Sequence, residues 1–181
     1  MQTLNYSFST YNDYTGVGIG KALKNIIPKE KPTLAICIGS DLVLGDSLGP
    51  LVGTILKKKN ANVFVYGTLN NPVTAKDVET VRTNVKNMHP NTISIAIDAS
   101  IGDVDDVGII KVINKGLKPG LGVNKKLGII GDVSIIGIVA SKSIQNYNLY
   151  NLTRLNLVYK MAEQIAEGIL QFLNTKNYNL A

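Results

Sequence analysis

Three short apolar runs constrain this chain more than anything else in it: TLAICI at 33–38, NVFVY at 62–66 and TISIAI at 92–97. Each is too short for a helix, and proline, glycine or a polar residue brackets each one. Between them lie stretches with helical spacing. Leu48, Leu51, Val52, Ile55 and Leu56 fall on one helix face. Asp46 or Ser47 is the expected N-cap, and Pro50 sits in the first turn, where its missing N–H costs little. Thr74 is the expected N-cap of a second helix over 75–87 that stops before Pro90. Strand, helix, strand, helix, strand with short connections predicts a parallel sheet carrying helices on both sides. The first run, apolar throughout, reads as a strand buried on both faces.

The flanks extend this pattern. Residues 1–13 are polar and read as a loose arm. Val17, Ile19, Ala22, Leu23 and Ile26 predict a helix over 15–26, ended by Pro28 and Pro32. After Asp98, strands are expected over 108–113 and 127–139, with a loop around Pro119, Gly120 and Gly122. Leu155, Val158, Tyr159, Ala162, Ile165, Ala166, Ile169, Leu170 and Leu173 predict a long amphipathic helix closing the back of the sheet. The expectation is one three-layer α/β/α domain over 1–181 with a mixed, mostly parallel sheet.

Composition narrows the function classes. With 45% hydrophobic and 18% charged residues, the chain can bury a core, which excludes wholesale disorder. A single cysteine, Cys37, excludes an internal disulfide and a cysteine-based zinc site, and its mid-strand position reads as core. The net charge of +6 is moderate. Its densest run, Lys57 to Lys59, falls at a helix end where cations complement the dipole, so nucleic acid is disfavoured as a partner. The N-terminus lacks the apolar core of a signal peptide, and the greasiest stretch, 127–140, is broken by glycines and Asp132. A cytoplasmic protein without membrane attachment is the expectation.

In open α/β sheets, ligands bind beyond the carboxyl ends of the strands, where strand order reverses. If the first apolar strand lies between the second and third, the loop 39–47 and the segment after Asp98 face each other across a crevice. Each brings a carboxylate, Asp46 at a helix start and Asp98 at a strand end. Two carboxyls facing one cleft divide acid and base work when their surroundings separate their proton affinities. The helix N-terminus favours ionised Asp46 as the base that activates water. Apolar neighbours favour neutral Asp98 as the acid that protonates a leaving amine. The roles can be reversed, and each residue also has a plainer reading, Asp46 as a cap and Asp98 as a brace for loop amides. Gly39, Ser40 and Asp41 of the first loop, with Gly120 and Gly122 of the later one, are candidate substrate contacts; Asp41 reads equally as a loop brace.

Other features carry less. Asp103, Asp105 and Asp106 lack the ligand spacing of a calcium loop and read as a solvated turn. The sole histidine, His89, belongs to a helix-to-strand turn at the end of the sheet away from the crevice, which argues against a nucleophile–histidine device. Gly16, Gly18 and Gly20 are closely spaced, but no strand precedes them, so they are a weak phosphate signal.

The string CIGSDLVLGDSLGPLVG, followed by VYGTLNNPV, resembles the YyaC family of sporulation proteins from spore-forming bacteria, with similarity over about 32–140. More distantly, GDSLGP, IAIDAS and PGLGVNKK with GDVSIIGIV resemble three segments of the germination protease that degrades small acid-soluble spore proteins. Beyond that lies similarity to the hydrogenase maturation endopeptidases, of the phosphorylase/hydrolase-like α/β/α fold. The resemblance implies a peptidase scaffold, a peptide or small-protein substrate, and a place in the cytoplasm of the sporulating cell or forespore. The acids of the first two germination-protease segments are its proposed catalytic pair, and they match Asp46 and Asp98. The metal-binding histidine of the maturation enzymes has no counterpart, because His89 precedes the third strand; neither metal nor cofactor is expected. The chain is much shorter than the germination protease and shows no evident propeptide.

Two functions follow as expectations. One is a peptidase-related hydrolase of sporulation or germination; the other is an inactive binding module on the same scaffold. Self-association is left open by the amphipathic first and last helices.

Overall fold

A computed structural model describes residues 3–119, 128–142 and 153–176. Its six-stranded sheet has the order β1-β5-β6-β4-β2-β3. The strands are β1 (Asn5–Ser9), β2 (Thr33–Cys37), β3 (Phe64–Tyr66), β4 (Ile93–Gly102), β5 (Ile109–Ile113) and β6 (Val133–Ser141). β3, β2, β4 and β6 run parallel, while β5 is antiparallel to both β1 and β6. The sheet is therefore mixed and mostly parallel, and β2 does lie between β3 and β4.

Helices α1 (Thr15–Ile26), α2 (Leu48–Lys58) and α4 (Leu155–Asn174) cover one face, and α3 (Val78–Met88) covers the other. All five residues of β2 are buried, as two covered faces require. On α4, Val158, Met161, Ala162, Ile165, Ala166, Ile169 and Phe172 form the stripe that seals the first face. Each of the larger ones contributes about 1.5–3 kcal/mol by leaving water. The second face is closed by Val78 and Val81 of α3 with Leu117 and Ile130, which bridge to each other. Among the described residues no helix is long and apolar enough to cross a membrane.

Several local expectations need correction. Residues 5–9 are no loose arm: they form β1, an edge strand whose Phe8 and Tyr6 pack on the core. Their alternation is muted because an edge strand is covered incompletely, so a polar segment still pairs. Thr74 does not cap α3. Its N–H and hydroxyl both donate to Asp77 Oδ2, and Asp77 is the residue that precedes the helix. β6 begins at Val133, later than the pattern suggests, because Gly131 turns the chain at φ 80°. β4 does not stop at Asp98 but continues to Gly102, held by β6.

Candidate active site

The site is built by the splitting of a β-ladder. β2 and β4 pair from Thr33↔Ile93 to Cys37↔Ile97, and the Ile38 N–H adds a last bond to the Ile97 carbonyl at 2.8 Å. There β2's continuation leaves β4. Ile38 bridges to Val73 on the other side, and the Gly39 N–H donates to the Val73 carbonyl at 2.9 Å. Gly39 makes this departure at φ 141°, and a side chain there would collide with the Asp46 carbonyl.

Two N–H groups that would have continued the ladder turn elsewhere. The Ser40 N–H reaches the Asp46 main-chain oxygen at 3.2 Å and also supports the Asp46 carboxylate. The Ala99 N–H donates to Asp98 Oδ1 at 2.9 Å. The two segments thus diverge at the switch point, and each candidate acid takes up one amide released by the split.

Asp46 lies in a 3-10 turn, 44–47, that leads into α2. It is no cap: neither Asp46 nor Ser47 bonds the helix amides, and the Ser47 hydroxyl donates backwards to Leu44 O at 2.6 Å. α2 can sit low over this turn because its small face meets main chain. Side chains at Gly49 and Gly53 would collide with the carbonyls of Ile38 and Gly67. Asp98 points to the α3 side of β4, on the same face as Ala96, and is only 9% exposed.

Burial pushes the Asp98 carboxyl well above the usual range, and the negative charge of Asp46 pushes it further; the Ala99 N–H pulls back less. Asp46 is also raised, by burial, with the Ser40 N–H opposing. Burial thus works against the expected preference of the helix N-terminus for ionised Asp46. The order of the two acids stands, with Asp98 the more reluctant to ionise. Among the described residues neither carboxyl has a cationic partner.

The remaining candidates are placed as follows. Gly39 and Ser40 line the split, Gly39 buried and Ser40 half-buried, while Asp41 is exposed beyond it. Gly120 and Gly122 lie outside the described residues. His89 ends α3 at the opposite end of the sheet, its Nε2 2.9 Å from the Tyr66 hydroxyl and its ring against Phe64. Cys37 is fully buried, which pushes its thiol far up and leaves it inert. Asp106 of the turn 104–106 pairs with Lys111 of β5 at 3.1 Å. Among the described residues no three His, Cys, Asp or Glu side chains gather as a metal site. The two acids alone are a sparse donor set, so no step is derived through a metal.

Sequence reasoning missed Gln164 of α4. Its Nε2 donates to the carbonyls of Thr10 and Asn12, 3.1 Å each, and fixes the loop after β1 at the same end of the sheet, while its buried Oε1 has no partner among the described residues. The available signal was a polar residue inside the apolar stripe of a long helix.

The three-layer scaffold with its mixed, mostly parallel sheet is an α/β protein of the maturation-protease fold. The [NiFe] hydrogenase maturation protease HycI from Thermococcus kodakarensis KOD1 matches it with a TM-score of 0.54 and 18% identity, over 84% of this chain and 98% of that one. At that identity the likeness is one of fold. The chain belongs to the family described as protein of unknown function DUF1256, whose model matches residues 8–168. A relative in Bacillus subtilis (strain 168), named uncharacterized protein YyaC, is 40% identical over 166 residues, covering 88% of this chain and 81% of that protein.

Proposed function

We propose that this chain is a peptidase-type hydrolase in which Asp46 and Asp98 share the work on a water molecule. The observation that carries the reading is the coupling of the two acids: the charge on Asp46 raises Asp98, and no described cation quenches either. Such a pair holds one proton between two sites, because the second ionisation is opposed by the first. Asp46, the more readily ionised, takes a proton from water as the oxygen attacks the peptide carbonyl. Asp98 gives its proton to the leaving nitrogen as the C–N bond breaks. Water is consumed, an acid and an amine are released, and a proton returned from Asp46 to Asp98 resets the pair.

The likeness to sporulation proteins and to the germination protease supports a substrate among small spore proteins or another developmental precursor. It also supports a site of action in the cytoplasm of the sporulating cell or forespore. The test is incubation of the pure protein with a spore-protein extract, with the fragments mapped by mass. Defined cleavage that disappears in Asp46→Asn and in Asp98→Asn is expected. Capture of a spore protein without cleavage, unchanged in both variants, would instead identify a binding module.

A further inference from the structure

The split ladder leaves more than two carboxyls behind. Main-chain polar groups alternate along a strand, so Ala99, two residues past Ile97, directs its N–H and C=O to the side that β2 has vacated. The N–H is taken by Asp98. For the carbonyl, the ladder's natural donor is the Ser40 N–H, and that N–H is spent on Asp46. Among the described residues nothing donates to the Ala99 carbonyl, and no strand pairs with β4 on this side beyond Ile97. β4 nevertheless stays extended to Gly102, because β6 holds its other edge. Ser100 and Ile101 are only half-buried.

We propose that a substrate main chain docks here in extended form, as a short added strand between β4 and the loop 39–46, donating an N–H to the Ala99 carbonyl. This rests on the reading of Asp46 and Asp98 as the reactive pair and names what they act on: a peptide segment unfolded enough to pair by its backbone. Recognition by strand addition takes its affinity from main-chain bonds and tolerates varied side chains. The outer edges of β1 and β3 also end the sheet, but the two coupled acids stand beside β4.

The experiment uses a nitrogen-15-labelled full chain carrying Asp46→Asn, so that turnover is blocked. The probe is the N-acetylated, C-amidated pentapeptide Ala-Val-Ser-Val-Ala, compared with a set in which one amide at a time is N-methylated. Amide shifts confined to Ser40 and Ala99–Ile101 are expected, with at least one N-methyl weakening binding about tenfold, as for loss of a main-chain hydrogen bond. Equal affinity across the set, shifts centred on β1 or β3, or no shift at any concentration up to the solubility limit would overturn the proposal. Running the wild-type chain in parallel separates the two readings. A peptide that pairs with β4 while no spore protein is cut removes the hydrolase and keeps the docking edge. Cleavage of spore proteins with a flat N-methyl series in the pentapeptide removes the docking edge and keeps the hydrolase.

Discussion

Two titratable groups are buried at opposite ends of this sheet, and the fold treats them differently. At the amino end, Lys176 brings its Nζ to the Lys31 carbonyl at 2.6 Å, the Thr33 hydroxyl at 2.8 Å and the Pro28 carbonyl at 3.4 Å, with the Phe172 ring 4.5 Å away. At the carboxyl end, Asp98 receives one N–H and faces a second acid. Burial moves both away from their usual values, Lys176 down to about 8 and Asp98 up. What separates them is satisfaction. A buried cation ringed by oxygens is a fastener that ties the end of α4 to the loop before β2. A buried acid set against a like charge is a cost that a purely structural site has no reason to keep.

The sharpest way to break this comparison is to neutralise each end in turn. Asp46→Asn and Asp98→Asn are each expected to lower cleavage of a spore-protein substrate by about 10²–10⁴, the usual worth of a positioned acid or base. Lys176→Met is expected to leave cleavage unchanged. In urea unfolding the ranking reverses. Lys176→Met removes the three hydrogen bonds, leaving the Pro28 carbonyl only the Lys31 N–H, and is expected to lower stability by about 1–3 kcal/mol. Asp98→Asn, which keeps an acceptor for the Ala99 N–H, is expected to raise stability at neutral pH, because it removes the buried charge set against Asp46. A stabilised Lys176→Met, or a strongly destabilised Asp98→Asn, would erase the distinction.

The smallest effects lie in the pH dependence of the same unfolding curves. Asp98 is raised in the folded state, so the folded chain holds its proton when the unfolded chain has lost it. Stability should therefore grow as pH falls from the folded Asp98 titration toward the ordinary value of 3.8. Lys176 is lowered, so the unfolded chain binds more protons between about 8 and 10.5, and stability should grow as pH rises through that window. The acid slope is expected to weaken in Asp98→Asn, where the raised Asp46 still contributes, and the alkaline slope to flatten only in Lys176→Met.

The fastener was invisible in the sequence and the acid pair was not, for a physical reason. Asp46 follows β2, and Asp98 lies within β4 just past its apolar run, so chain order places them at one end of the parallel strands once β2 lies between β3 and β4. Lys176 belongs to a sequence-distant contact, joining the end of α4 to residues 28–33, and no local pattern encodes it. α1, α2 and α4 were legible because apolar spacing records a buried stripe. β1 was not, because an edge strand of five residues leaves little trace in hydropathy. The continuation of β4 past Asp98 was hidden for a similar reason: Ser100 and Gly102 look like loop, and only the partner strand β6 makes them extended. The split of the ladder, which gives both acids their amides, is a property of three strands together and has no signature in any one of them.

β1 has a consequence for the order in which this chain can be completed. Its partner β5 is made more than a hundred residues later, with Asn5 opposite Ile113. A nascent chain emerging from the ribosome must therefore carry an uncharged segment, NYSFS, with nothing to zip onto until β5 has been synthesised. Such a segment carries none of the charges or prolines that usually keep a bare strand from sticking to a neighbour. Nascent chains that stall before residue 113 should accordingly be the stage at which this protein most readily clumps with its own copies.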